Sequence, residues 1–354
     1  MIRKGSILSV LMALMAVSCM QDKIIDRQHD APIAFRTVMD RHTRATGYTS
    51  SNLTSFNVTA LSEDASVYMD GVDFGTADYA KWSSAQNYYW PSHGDLDFYA
   101  YAPKATGGNG ITFNDYKTLT VTPLADTDSQ VDLLFACSTG NLVKDGIGGK
   151  MLNFRHAMSK VQVKVSNSNP NLRVRVEGWR LAGLDGTAVF TYSGGVTDGS
   201  GTLDRAMWSG NTDAATSGVS YTKVLDNTLL LEGAVTGPES RMLDGSAIII
   251  PQYAGQDVAY ADAVAGSSLT GSYIAVNLSI ENVTDGAPYV ENTWCCWPVS
   301  FDLQPGYRYV YCIDLAEGGY YETAPEASTD AVPVLKNLII RFASVSVDSW
   351  AVTP

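Results

Sequence analysis

The sequence predicts an all-β protein built as β-sandwiches, and three observations carry that reading. Apolar and polar residues alternate at period two: Val161, Val163 and Val165 against Lys160, Gln162 and Lys164, then Leu172, Val174 and Val176 against Arg173, Arg175 and Glu177. That is the pattern of strands with one buried and one solvated face. Turn clusters separate such runs, among them Gly107-Gly108-Asn109-Gly110, Asp185-Gly186, Thr236-Gly237-Pro238 and Gln304-Pro305-Gly306. No segment keeps an i, i+3, i+4, i+7 apolar stripe long enough for a core helix, so the crossover helices that a parallel α/β sheet requires are missing.

The chain opens on an export signal. Arg3 and Lys4 precede an apolar run from Ile7 to Val17, too short to span a bilayer as a helix. Ala16-Val17-Ser18-Cys19 then resembles the lipobox of bacterial lipoproteins, whose cysteine takes a diacylglycerol and becomes the first residue after cleavage. Residues 1–19 read as a lipoprotein signal peptide with acylated Cys19; an ordinary secretory peptide is the alternative. Residues 20–44 form a basic leader with Lys23, Arg27, Arg36, Arg41 and Arg44 and one strand-like piece, Pro32 to Val38. Within that piece Ile33 and Phe35 share a face and Arg36 points the other way.

Further strands are expected over 56–61, 96–101, 119–121, 131–137, 247–250, 273–280, 307–315 and 338–347. The body after Arg44 is long for one sandwich and comfortable for two. The polar stretch Ser166-Asn167-Ser168-Asn169-Pro170-Asn171 is the best boundary, giving an N-terminal sandwich over 45–171 and a C-terminal one over 172–354. A hairpin loop inside one domain is the competing reading, and the boundary has room to move between 166 and 185.

Charge and composition exclude several functions. The formal charge is −13 over 354 residues; seven of the 24 basic and four of the 37 acidic residues precede Ala45, so the body is more acidic still. Such a field repels phosphate backbones, and no nucleic-acid partner is expected. Of four histidines, His29 and His42 lie in the leader, leaving His93 and His156. A three-His metal centre or an HExxH site cannot be built from two, and no GxSxG elbow is present, so neither an enzyme nor a cofactor or metal is expected.

His156 reads as a hydrogen-bonded structural histidine. Asp126-x-Asp128-x-x-x-Asp132 reads as an acidic turn, because it lacks the glycine and terminal glutamate of an EF-hand loop. Cys137, Cys295, Cys296 and Cys312 are buried thiols by default, with one long-range disulfide as the alternative. The adjacent pair points to opposite faces of a strand. Trp294, Trp297 and Tyr289 are either core or a surface that stacks on sugar rings.

Several strings resemble the fimbrillin-like (Mfa-like) family of Bacteroidales. Val131-Asp132-Leu133-Leu134-Phe135-Ala136, followed by Leu152-Asn153-Phe154-Arg155-His156-Ala157-Met158-Ser159-Lys160-Val161, is similar to that family's paired signature. Ile250-Pro251-Gln252 and Gly306-Tyr307-Arg308-Tyr309-Val310-Tyr311 resemble its second half. The resemblance implies a type V pilus subunit or accessory lipoprotein made of two tandem transthyretin-like β-sandwich domains. It implies that an arginine-specific protease removes the leader, here between Arg44 and Ala45, together with the first strand of the N-terminal domain. An extended strand from a neighbouring subunit then fills the groove.

The donor candidate is the C-terminal segment. There Leu338, Ile340, Phe342 and Trp350 share one phase and Ala343, Val345 and Val347 the other; a bulge near 342–343 would reconcile them, or else 338–342 is the last fixed strand and 343–354 the mobile piece. Val345, Val347 and Trp350 are the expected donor residues, and Ile33 and Phe35 the temporary plugs. The implied partners are other pilus subunits, the outer membrane through the lipid anchor, and host or bacterial surface glycans or proteins. The implied location is the cell outer membrane and a surface fimbrium supporting adhesion. A carbohydrate-binding surface lipoprotein that does not polymerise is the alternative.

Overall fold

A computed structural model of the chain describes residues 31–39, 53–78, 81–192, 203–210, 218–335 and 344–349. Those residues are almost entirely β-sheet; the one α-helical turn is Leu142–Asp145. A six-stranded sheet runs in the order Phe35–Met39, Lys150–His156, Leu134–Gly140, Leu96–Ala102, Ser55–Ser62, Val67–Gly75. All of its pairs are antiparallel except the first, in which Phe35–Met39 lies parallel to Lys150–His156. The sheet curls so far that Phe35, on one edge strand, stacks edge-on against Phe74, on the other, at 4.9 Å between ring centroids.

Curling gives this sheet a dry face on each side. Inside the curl, Leu134 and Ala136 pack with Phe98, Leu152 and Phe154. Outside it, Leu133 and Phe135 pack with Phe190, Tyr192 and Trp208. The outer face is covered by a four-stranded sheet, Trp208–Ser209, Ala188–Thr191, Thr118–Val121, Ile111–Asp115. A strand covered on both faces has no polar alternation to show, which is why Leu133 to Ala136 is apolar without a break.

The other large core lies between two five-stranded sheets. One runs Val219–Glu232, Leu172–Leu184, Tyr273–Asn282, Pro288–Pro298, Tyr320–Tyr321. In the other, Arg241–Met242 and Ala247–Ile249 both pair with Ser159–Ser166, followed by Tyr307–Asp314 and Ser344–Ser349. Trp179, Trp297, Phe301 and Tyr311 fill the space between them. The alternating valines at 161, 163 and 165 and the run Leu172, Val174 and Val176 face each other across this core as their period predicts.

The expected boundary between 171 and 172 needs correction. Ser159–Ser166 pairs with Tyr307–Asp314, and its valines share a core with Leu172 and Val174. The polar stretch 166–171 therefore joins two strands of one core. Its Asn167 is buried, donating through Nδ2 to the carbonyls of Leu172 (2.7 Å) and Leu231 (3.3 Å). The assignment of everything after 172 to the second half also fails, because Ala188–Thr191 pairs with Thr118–Val121 and packs on the first sheet. The chain crosses from the first core to the second near Met158, is back on the first at Ala188–Thr191 and Trp208–Ser209, and stands in the second again at Val219–Glu232.

One close approach fixes the return. Gly183 sits at φ +73, and a Cβ there would lie 2.0 Å from the carbonyl oxygen of Gly271. Gly183→Ala should lower stability by about 2–4 kcal/mol, from left-handed strain plus overpacking. Urea unfolding of the purified protein checks this; an unchanged midpoint would contradict the close contact.

Candidate functional site

The leader strand fills a slot. Ile33 and Phe35 are 6% and 3% exposed, whereas Ala34 and Arg36 between and after them face solvent. The Phe35 ring meets Phe74, Phe98 and Phe56 at 4.9, 5.4 and 5.9 Å between centroids, each nearly perpendicular. Such edge-to-face contacts add to the burial of the ring itself. The backbone is held on two sides. On one, the amide of Ile33 donates to Tyr88 O (2.7 Å) and that of Trp90 to Ala31 O (3.0 Å). On the other, the amide of Lys150 donates to Ala34 O (2.7 Å), and the parallel register runs from Phe35 opposite Lys150 to Met39 opposite Phe154. The Arg36 guanidinium reaches out to the carbonyl of Gly149 at 3.3 Å.

Taking this strand away would bare two backbone edges and the faces of Phe56, Phe74 and Phe98, an arrangement that invites another strand. The slot's aromatic lining was not foreseen. Its only local signal is the inward phase of Phe98 on the strand 96–102; Phe56 and Phe74 come from two other strands. Cys19, Arg44, Ala45 and Trp350 lie outside the described residues.

Of the expected donor segment, Ser344–Ser349 is a strand at the edge of its own sheet, antiparallel to Tyr307–Asp314. Val345 stands opposite Tyr311 and Val347 opposite Tyr309. Both tyrosines are buried, yet the valines are 47% and 50% exposed. This strand is held by its backbone ladder on one side and gains little from apolar burial.

The family-motif residues have structural surroundings. Asp132 and His156 are both buried, and a hydrogen bond joins the His156 Nδ1 to the Asp132 Oδ2. Burial pushes the Asp132 carboxyl above the ordinary carboxylate range, with the His156 ring pulling it back. Phe154 lies in the slot core, 5.4 Å from Phe56. Pro251 and Gln252 are buried. The Gln252 amide clamps a turn: its Oε1 accepts from the Asp185 amide (2.7 Å), and its Nε2 donates to the carbonyls of Asp185 (3.3 Å) and Ile250 (3.1 Å).

The other candidates do not assemble into a site. Asp126 caps a short 3-10 turn by accepting from the Asp128 amide, Asp128 pairs with Lys223 (2.7 Å), and Asp132 faces His156. Among the described residues no group of three or more His, Cys, Asp or Glu side chains is placed to hold a metal ion. Trp297 is core, while Trp294 lies over Arg180 at 4.2 Å and Tyr289 is exposed, so the three rings do not form one exposed platform. Cys295 faces the second core and Cys296 the opposite side, and all four described cysteines are free thiols. Burial pushes the Cys137 and Cys295 thiols up to about 12.

Two outcomes follow from this geometry. In the chain that retains its leader, Phe35→Ala should cost about 3–5 kcal/mol, read by urea unfolding; a loss no larger than that of an exposed phenylalanine would remove the ring from the slot. The second concerns pH. A carboxyl whose folded pKa is raised stabilises fully below its unfolded value, near 4, and loses that contribution as pH rises through the folded one. Relative to Asp132→Asn, the native chain should therefore lose stability from about pH 4 upward; parallel unfolding profiles for the two would contradict it.

Comparison with known proteins places this architecture. A model of the fimbrillin-like family matches residues 43–331. No curated protein matches the chain at a significant level. Solved structures similar to it include a candidate cell adhesion protein from Bacteroides ovatus, at 15% identity over 91% of this chain and 99% of that one, with a TM-score of 0.43. Another, from Parabacteroides distasonis, is 12% identical over 90% of this chain and 99% of that one, at 0.44. The fimbrial anchor protein Mfa2 from Porphyromonas gingivalis is 12% identical over 90% and 98%, at 0.34. The family match spans most of the chain, including both signature strings, Asp132 to Ala136 and Phe154 to Val161: the chain belongs to the fimbrillin-like family.

Proposed function

We infer that the protein is a structural or accessory subunit of a cell-surface type V fimbrium, assembled by strand exchange and supporting adhesion. The observation that carries this reading is the leader strand: two inward side chains, Ile33 and Phe35, plug an aromatic slot whose backbone edges lie on either side. In this reading the precursor is exported as a lipoprotein acylated at Cys19 and reaches the outer membrane. Cleavage after Arg44 frees Ala45 and releases the leader. A strand from the C-terminal segment of a neighbouring subunit takes its place. Each chain then carries one acceptor and one donor surface, and a contact between unlike surfaces propagates as an open filament.

The energetics favour the exchange. Ser344–Ser349 leaves little buried apolar area behind when it departs, since Val345 and Val347 are only half covered where they stand. The two halves of the molecule are proposed to be transthyretin-like sandwiches. The alternative, a glycan-binding lipoprotein that keeps its leader strand and does not polymerise, needs an exposed aromatic platform elsewhere on the surface.

The reading is tested on the full-length precursor and on the same chain after limited digestion with an arginine-specific protease. The precursor should remain a monomer and the product beginning at Ala45 should form oligomers, both read by size-exclusion chromatography with light scattering. A cleaved, folded chain that stays monomeric at every concentration would favour the non-polymerising alternative.

A further inference from the structure

The most exposed large apolar side chains among the described residues are Val143 and Ile147, at 94% and 107% of full exposure. They stand four residues apart on the helical turn Leu142–Asp145 and its continuation through Gly146, so both project from one face. The turn is firmly built. Asn141 caps it by accepting from the Lys144 amide (3.0 Å), and the Asn141 amide donates to the Asp145 carboxylate (3.2 Å). The amides of Gly146 and Gly149 donate to the carbonyls of Leu142 and Asp145, both at 2.9 Å. Two aliphatic side chains are thus held out into water by a rigid frame, with exposed Lys144 between them.

What they meet follows from where the turn lies. Phe35–Met39 runs parallel to Lys150–His156, and the Lys150 amide donates to Ala34 O (2.7 Å). In a parallel pair the residues before Ala34 leave the sheet at the end where the residues before Lys150 lie, so the leader enters the molecule beside this turn. Val67, Tyr68 and Tyr89 are exposed at the same end; Tyr89 bridges Pro32, and the Tyr68 hydroxyl donates to the carbonyl of Tyr89. Amphipathic tyrosine rings suit the boundary between hydrocarbon and water. The acidic groups here are already engaged. Glu63 accepts from the Asp95 amide (3.1 Å), Asp95 from the Asn141 side chain (2.5 Å) and Asp64 from the hydroxyls of Ser62 and Ser66, while Asp145 lies 3.9 Å from the Lys150 ammonium.

We propose that this end of the molecule contacts a lipid surface, with Val143 and Ile147 entering the boundary between headgroups and acyl chains and Tyr68 and Tyr89 flanking them. The proposal rests on the reading of the precursor as a lipoprotein acylated at Cys19. Ala31 lies twelve residues after Cys19, a reach of about 40 Å at full extension, so the tether brings this end of the body to the bilayer. The acyl chains hold the protein and the turn orients it. Lys144 lays its stem along the same boundary with its ammonium among the headgroups. The acidic body disfavours an anionic membrane, so the surface it fits is one of neutral phospholipid. Cleavage after Arg44 then parts the body from its lipid, and two aliphatic side chains are too few to hold it, since even one acyl chain binds only marginally.

The test uses the mature acylated chain on phosphatidylcholine vesicles, with the mass of its N-terminal peptide checked. A benzophenone amino acid replaces Val143, Ile147, Val235 or Val264; the last two are exposed elsewhere on the surface. Illumination should attach phospholipid at 143 and 147 and not at 235 or 264. Lysine-specific cleavage after Lys144 should be lost on vesicles and return when Val143→Asp and Ile147→Asp are combined. The membrane contact is overturned, with the lipoprotein reading left standing, by an acylated, vesicle-bound chain that attaches no lipid at 143 and 147, attaches it equally at all four positions, joins a second copy there instead, or is cut after Lys144 as fast as in solution. A chain that carries no lipid at Cys19 and stays off the vesicles overturns both.

Discussion

A curled sheet must be closed along its open side, and the first half of this molecule depends on that constraint. Five strands from Val67–Gly75 around to Lys150–His156 bend until their inner phenyl rings face a gap, and Phe35 stands in it. The ring touches residues from three strands at once. It ties Phe98 to the stacked pair of Phe56 and Phe74, and its strand supplies the partners of the backbone edges at Tyr88 to Trp90 and at Lys150. Hydrogen bonding and apolar burial here converge on one short piece of chain near the start of the protein.

The opposite end presents the reverse balance. Ser344–Ser349 has its ladder on one side, and its valines are only half covered. The leader strand, by contrast, is buried at Ile33 and Phe35 and bonded through its backbone on both sides.

Much of this was legible in the sequence, in a graded way. Val161, Val163 and Val165 announced a half-buried strand because every second residue is charged or amide-bearing; the run at Leu133 read as a strand, but that both its faces are covered came only with the structure. Ile33 and Phe35 were readable as inward-facing for the same reason of period. Pairing partners were not readable. Nothing in Ser166 to Asn171 reveals that Asn167 is buried between Leu172 and Leu231, since polar turn composition looks the same between domains and between sheets. The strand Val219–Glu232 was missed because Asp226 and Asn227 interrupt it. Opposite Leu172–Leu184 its register jumps from Val224 to Leu229, so a bulge reads as a turn. Phe56, Phe74 and Phe98 belong to separate strands, and only the curl brings them to one ring.

The interlaced path of the chain has a mechanical side. Among the described residues the backbone passes between the two cores near Met158 and again between Leu184 and Ala188. A single linker between two beads would bear the whole of any load and act as a hinge. Here the load is shared by more than one length of chain, and a pull on 184–188 acts along the ladder between Ala188–Thr191 and Thr118–Val121. The two cores are therefore stitched together at more than one point.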